Sequence, residues 1–406
     1  MVVTPLKYWF WLGALTGLSA RQANQLINAF GNPYEVYRQP PEALARLGFV
    51  TPRAACALSD AATRSGIEER IAKLEEGGIQ VISPDDARYP KLIIEISDPP
   101  PVLFMRGDAP ANPEDRFVAV VGSRRPTAYG ISVTKKLVAG LADYGFTIVS
   151  GMAMGVDAIA HESAIEAGAR TVAFLGCGVE RPYPAGNRRL MDAIVGHGAV
   201  YSEYPPGTAP YQYNFPQRNR LISGMSLGVV VIEASERSGS LITARFAGEQ
   251  GRDVFAVPGN ITSPLSRGSN ALLRDGAMIA TSADDIALSI NHYISFGKPR
   301  LSSDNGGLGA DNGGLGAGNK MRGAGNAHAL SGIREARRKI IEGKIAALDK
   351  TELRIVRLLQ ACGPQDIDEI AARCGIKPGD TVSTVITLEI KGLLHRMADG
   401  KYEFAG

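Results

Sequence analysis

The sequence predicts an α/β protein: a doubly wound, mainly parallel sheet with a small helical module before it and a helix-and-hairpin domain after it. Three observations predict this. From Phe117 onward, short apolar runs of strand length alternate with helical stretches. Before Ile67, helical spacing of apolar residues is broken repeatedly by Gly and Pro. Between Leu301 and Gly325 the composition collapses to Gly, Asn and Ala, including the near-repeat DNGGLGADNGGLGAGN, which sets the last stretch apart.

A chain of 406 residues exceeds one ordinary domain, and a hydrophobic content of 45% is ample for packed cores. The expected organisation is a helical domain over 1–75, the sheet domain over 76–298, a flexible linker over 299–330 and a C-terminal domain over 331–406. The net charge of +3 does not announce a nucleic-acid binder, so any electrostatic footprint has to be local. Cys56, Cys177, Cys362 and Cys374 form no C-x-x-C pair and read as buried thiols in a reducing compartment. His161, His197, His292, His328 and His395 show no metal-ligand spacing. Met1 to Leu18 is partly apolar, but Lys7 and two tryptophans interrupt it and no small-residue cleavage site follows, which argues against a signal peptide. No segment reaches the roughly 18–20 apolar residues of a membrane span. The expectation is a soluble, cytoplasmic protein.

Taken in order, Leu12, Leu15, Leu18, Ala23, Leu26, Ile27 and Phe30 fall near helical spacing, with Ser19 as an N-cap and Gly31 as a stop. Further short helices follow at Pro41–Leu47 and after Thr51-Pro52. Such Gly-punctuated helices are similar to a SAM-like or helix-hairpin-helix module, which would contact a nucleic-acid backbone; a packing or partner-binding knob is the alternative. A helix at Ile67–Glu76 and strands at Ile79–Ile82 and Val102–Met105 lead into the sheet. Its strands are predicted at Phe117–Val121, Thr147–Val149, Thr171–Leu175, Ala199–Ser202, Val229–Ile232 and Val254–Val257. Helices are predicted at Tyr129–Tyr144, Asp157–Ala167, Asn187–Val195, Arg218–Met225 and Leu241–Gln250, so that the strand-end loops converge on one edge. Beyond the linker, the basic run Arg334–Lys339 reads as a solvated helical face. Three helices and a hairpin around Asp399-Gly400 make a winged-helix pattern over Leu348–Phe404. Its third helix, TVSTVITLEIKG, is poor in Arg, Asn and Gln, so packing or protein contact is preferred there over reading a major groove.

The loops carry the chemistry. Gly122-Ser123-Arg124-Arg125 follows the first core strand, and the dinucleotide fingerprint G-x-G-x-x-G is absent because Arg124 and Arg125 occupy the loop. Two guanidinium groups suit a phosphodiester backbone; a plain surface loop is the alternative. Ser150 to Asp157 ends the second strand with small residues that offer N–H groups. Asp157 and His161 lie one helical turn apart, and capping plus packing is preferred over an acid–base pair. Ser123, Ser150 and Ser240 could meet in space, but no residue is marked as a nucleophile. Tyr183-Pro184 to Asn187 forms one wall of the site or simply turns the chain. In Asn214–Ala244, Phe215, Arg218, Asn219 and Arg220 set a ring beside cations and an amide. Ser238-Gly239-Ser240 then opens a helix whose first N–H groups attract anions. A helix cap and a buried Phe are the alternative reading.

The motifs AVVGSRRPTAYG, IVSGMAMGVDAIAH, NFPQRNRLISG, SGSLITA and GRDVFAVPGNI, in this order and spacing, resemble the DNA-processing protein A (DprA, or Smf) family over roughly Leu92–Ile286. The resemblance implies a Rossmann-like core flanked by a SAM-like and a winged-helix domain. It implies a recombination mediator that binds and protects incoming single-stranded DNA as a dimer and helps load the RecA recombinase in natural transformation. Single-strand-binding protein is a further implied partner, and neither a cofactor nor turnover is implied. Carried over by motif, the DNA contacts fall on Gly122, Ser123, Arg124, Arg125, Gly151, Met154, Gly155, Phe215, Arg218, Asn219, Ser238, Gly239 and Ser240. Gln212 and Tyr213 stand where relatives often carry a basic residue. The rival reading is a nucleotide-processing enzyme of the lysine-decarboxylase-like phosphoribohydrolase type, with its PGGxGTxxE element. Here SGSLITARF offers no acid until Glu249, which argues against hydrolysis. A third reading, a duplex-DNA regulator acting through Leu348–Phe404, lacks polar base readers.

Overall fold

The computed structural model describes residues 4–15, 17–108, 116–296, 348–390, 393–396 and 401–404. The expected linker, the basic run Arg334–Lys339 and the Asp399-Gly400 turn lie outside the described residues. The chain divides into two compact units, Met1–Ser302 and Ser303–Gly406.

The first unit begins with seven short helices: α1 (Leu6–Gly13), α2 (Ala20–Phe30), α3 (Pro33–Arg38), α4 (Pro41–Ala45), α5 (Pro52–Ser59), α6 (Ala61–Arg64) and α7 (Ile67–Glu76). Their boundaries follow from local chemistry. Ser19 and Gln22 form a reciprocal capping box on α2, and Gly31, at φ 95°, closes it. Asn32 and Thr51 cap α3 and α5, each followed by Pro at the first helical position, where no N–H is lost. Phe10, Trp11, Leu12, Leu26, Val36 and Leu44 are buried in a cluster that continues into Val81 and Phe104 of the sheet. These helices thus share their apolar core with one end of the sheet instead of closing on themselves.

Nine strands form that sheet: β1 (Gln80–Ile82), β2 (Leu103–Gly107), β3 (Arg116–Val121), β4 (Phe146–Ser150), β5 (Thr171–Phe174), β6 (Gly198–Ser202), β7 (Gly228–Val231), β8 (Asp253–Ala256) and β9 (Met278–Ile279). Their spatial order is β1-β2-β6-β5-β4-β3-β7-β8-β9. From β6 to β9 all neighbours are parallel, and β1 and β2 run antiparallel at one edge. Alternate residues serve opposite faces, as a pleated strand requires. Ala119, Val121, Val229 and Val231 pack on one side with Leu221 and Ile222 of α12 (Asn214–Gly224) and Ala244 and Ala247 of α13 (Gly239–Glu249). On the other side, Val118, Val120, Val230 and Ile232 meet α9 (Ala128–Asp143), α10 (Val156–Glu166) and α15 (Ala283–Phe296). The remaining helices of this unit are α8 (Lys91–Ile94), α11 (Arg188–His197) and α14 (Arg267–Arg274). Helices on both faces explain why these strands are apolar without interruption.

The second unit packs helices Lys350–Cys362, Ile367–Cys374 and Pro378–Ile390 with an antiparallel pair, β10 (Leu394–Arg396) and β11 (Tyr402–Phe404). Asp349 with Glu352, and Asp366 with Glu369, form capping boxes on the first two helices. Ile355, Val356, Leu359, Ile370, Val385, Leu388 and Tyr402 make its core. Two cysteines depart from expectation: Cys177 and Cys374 are buried, but Cys56 and Cys362 are exposed on helices. Among the described residues no helix is long and apolar enough to cross a membrane.

Candidate functional site

The chain lays β3, β4, β5 and β6 down in one direction, then returns to place β7, β8 and β9 on the other side of β3. At such a reversal, neighbouring strand-end loops turn away from each other and leave a crevice beyond the carboxyl ends. Between the ends of β3 and β7 lies a groove of about 540 Å³. Gly122, Ser123 and Arg124 line it from β3; Ala153 and Asp157 from the turn into α10; Ser235, Ser238, Gly239 and Ser240 from the turn into α13; and Phe215, Arg218 and Asn219 from α12. Of the DNA contacts carried over by motif, Arg125, Gly151, Met154 and Gly155 are not among the lining residues. Arg125 and Met154 are exposed beside it, and the two glycines work beneath it.

The helix carrying Phe215 starts earlier than predicted. α12 begins at Asn214 and not at Arg218, so Asn-Phe-Pro is its first turn and not a loop. Pro216 has no N–H to withhold there, which makes it compatible with a helix start. The Asn214 side chain donates to Gly176 O at 2.9 Å and anchors this turn under the end of β5. Phe215 is thereby presented sideways, and its ring stacks on Tyr183 with centroids 5.0 Å apart and 30° between planes. Tyr183 is 38% exposed and forms an aromatic wall with Phe215. The Tyr183-Pro184 loop therefore does shape one side of the groove; the stacking of Tyr183 on Phe215 had no signal in the sequence beyond an aromatic residue after a strand.

Arg218 corrects a second expectation. It is not an open phosphate clamp: only 4% of it is exposed. Its Nη1 donates to Gly151 O at 2.8 Å and to Phe174 O, tying α12 to the ends of β4 and β5. Nε donates to Asn219 Oδ1 at 3.2 Å. Burial lowers its pKa while Asp157 pulls it back up, and a guanidinium stays protonated at physiological pH. Gly151 is glycine because an ideal Cβ would stand 2.6 Å from Arg218 Nη2. Arg220, on the opposite side of the helix, is also buried and pairs with Asp98 at 3.2 Å and with Glu203. The exposed cation of the groove is Arg124.

Asn219 reaches across to the β7 turn, where Nδ2 donates to Gly239 O at 3.3 Å. Ser238 caps α13: its Oγ accepts from Ser240 N at 3.3 Å and lies 2.7 Å from Ser240 Oγ. A Cβ on Gly239 would meet nothing within 4 Å, so this backbone stands open at a helix N-terminus that attracts anions. On the β3 side, Gly155 has φ 80°, and a Cβ there would lie 2.4 Å from Ser123 O. Only glycine lets α10 begin against the Ser123–Arg124 backbone, where Val156 N donates to Ser123 O at 3.1 Å.

The acid–base alternatives do not assemble. His161 is fully buried with Nδ1 2.7 Å from Thr171 Oγ1, and burial lowers its pKa to about 3. Asp157 is not the N-cap, which is Gly155; it sits in the first turn and accepts from Ala153 N at 3.4 Å. Burial raises its pKa against the pull of Arg218. Ser150 is fully buried, and its hydroxyl donates to Val120 O at 2.7 Å. Glu249 pairs with Arg245 at 3.5 Å on the solvent side of α13. Glu233, just before the turn, receives Thr127 N at 2.8 Å on one oxygen and Thr127 Oγ1 at 2.6 Å on the other. Among the described residues no group of three His, Cys, Asp or Glu converges as a metal site.

Comparison with known proteins matches this architecture. Residues 80–291 fit the model of the DNA recombination-mediator protein A family, and residues 342–400 fit that of the DprA winged helix domain. The DNA processing protein DprA of Bacillus subtilis is 43% identical over 216 residues, 53% of this chain and 73% of its own length. A Mycobacterium tuberculosis relative is 36% identical over 343 residues, 81% of this chain and 77% of that one. The X-ray structure of DNA processing protein A from Streptococcus pneumoniae superposes with a TM-score of 0.62 at 35% identity, covering 71% of this chain and 98% of that chain. With the family model spanning over half of its residues, this chain belongs to the DprA/Smf family of DNA recombination-mediator proteins.

Proposed function

We propose that the groove between the ends of β3 and β7 binds single-stranded DNA. The observation that carries this reading is the meeting, in one groove, of three features: the exposed Arg124, the Tyr183–Phe215 wall and the N-terminus of α13, where the Gly239 backbone stands open. A guanidinium and helix N–H groups hold phosphates, while ring faces accept unpaired bases of any identity. A duplex keeps its bases stacked on each other and offers none to such a wall. Arg218 contributes by positioning the strand-end loops, with Asn219 holding the Ser-Gly turn.

On this reading the protein is a recombination mediator, as its family's description says. It protects incoming single strands and helps load RecA in natural transformation, working as a homodimer and alongside single-strand-binding protein. It turns over no substrate. The buried, separately bonded Asp157 and His161, the solvent-facing Glu249 and the doubly engaged Glu233 support that part of the proposal.

The test is the affinity of oligo-dT and of a matched duplex for wild type and Arg124→Ala across a salt series. The single strand is expected to bind more tightly. Losing one phosphate contact is expected to make the slope of log K against log salt shallower by about 0.7. Equal affinity for both DNAs, or an unchanged variant, refutes the reading. Loading is read separately: wild type accelerates RecA filament growth on coated single strands, and Arg124→Ala loses that acceleration.

A further inference from the structure

The segment between β6 and α12 carries two tyrosines that the groove leaves unused. Tyr211 is 50% and Tyr213 69% exposed. Their rings stack with centroids 5.4 Å apart and 5° between planes. Much of the pair's ring surface faces water. The backbone beneath is fixed: Tyr211 N donates to Ala209 O at 2.8 Å, Asn214 N donates to Tyr211 O at 3.0 Å, and Tyr213 is the residue from which α12 starts. A pair of large rings held parallel in solvent on a fixed turn has no role in the core. Gln212, between them, lines the groove, and Phe215, two residues on, belongs to its aromatic wall. The pair is therefore continuous with the groove.

We infer that Tyr211 and Tyr213 form a second stacking platform, which receives unpaired bases of a single strand where it leaves the groove past the start of α12. This rests on the single-strand reading of the groove and adds a direction to it: the strand runs from Arg124 and the α13 N-terminus, past Phe215, out over the tyrosine pair. The platform supplies ring surface and no charge, so its contribution is independent of counterion release.

The experiment measures oligo-dT binding by wild type, the double variant Tyr211→Ala/Tyr213→Ala and the double variant Tyr211→Phe/Tyr213→Phe. Strands of about four and about twelve nucleotides bracket the smaller site sizes of single-strand grooves. For the longer strand the Ala variant is expected to bind about five- to thirty-fold more weakly, with the salt slope unchanged, and the Phe variant to match wild type. For the short strand, and for a long abasic strand, wild type and the Ala variant are expected to agree. Because both side chains are exposed, the thermal midpoint of the Ala variant stays at the wild-type value. A variant that binds the long strand as wild type does, or that loses the short or abasic strand equally, overturns the platform. So does a variant whose only change is its oligomeric state in sedimentation, which would make the pair a contact between copies. If wild type itself fails to bind oligo-dT, the groove reading falls first, and the two failures are thereby told apart.

Discussion

Replacing Gly151 by alanine tests whether the groove rests on a buried guanidinium. The added methyl would stand 2.6 Å from Arg218 Nη2 and 2.8 Å from Nη1, well inside contact. The guanidinium cannot retreat freely, because Nη1 is held by Gly151 O and Phe174 O and the side chain is 4% exposed. A hydrogen bond to a charged group is worth about 1.5–3 kcal/mol, and stranding a buried charge costs about 3–5 kcal/mol. Displacement with partial rescue by water is therefore expected to lower stability by about 2–5 kcal/mol. Urea denaturation followed by far-UV circular dichroism measures the loss. The decisive arm is a cycle with Arg218→Met. With no guanidinium to strand, the methyl costs less than about 1 kcal/mol, so the two substitutions couple by about 1 kcal/mol or more. A loss under about 0.5 kcal/mol for Gly151→Ala, or an additive double variant, refutes the role assigned to Arg218.

Two further predictions concern buried charge. Folded His161 titrates near pH 3, whereas an unfolded histidine titrates near about 6.5, so between these values the unfolded chain holds the extra proton and stability rises with pH. The site then contributes about 2 kcal/mol less at about pH 5 than at neutrality; His161→Gln should flatten this part of the profile, and an unchanged slope rejects it. Arg220→Met leaves Glu203, whose pKa burial already raises, and Asp98 without their cation. The expected loss is about 3–5 kcal/mol at neutral pH, shrinking as acid protonates Glu203; a loss below about 1 kcal/mol contradicts the pairing.

The strands and the edge they converge on were legible because a covered parallel strand must be apolar throughout, as Val229–Ile232 is. The cap at Ser19 was legible for the same kind of reason, since it satisfies an orphan N–H group within a few residues of itself; the caps at Thr51, Asp349 and Asp366 follow the same chemistry but emerged with the structure. Arg218 and Arg220 were not. Their partners, Gly151, Phe174, Asp98 and Glu203, are distant in sequence, and α12 is buried on two sides, so each arginine reads as a surface cation until the sheet is assembled. Asn-Phe-Pro read as a loop because Pro usually ends helices, and only its position in a first turn reverses that rule. The expected SAM-like module showed its helices through Gly and Pro. The continuation of its core into Val81 and Phe104 depends on contacts that no local pattern encodes.

Three ties run under the groove: Arg218 to the ends of β4 and β5, Gly155 against the Ser123–Arg124 backbone, and Asn219 to Gly239. On the single-strand reading proposed above, these ties hold the groove in shape before a strand arrives. A guest on a stiff surface gives up its own freedom and little of the host's, so affinity is set by the guest's flexibility and by solvent. Such a surface cannot be tuned by reshaping itself. Control over what it holds has to act by competition for the groove, or through parts of the chain that lie outside it.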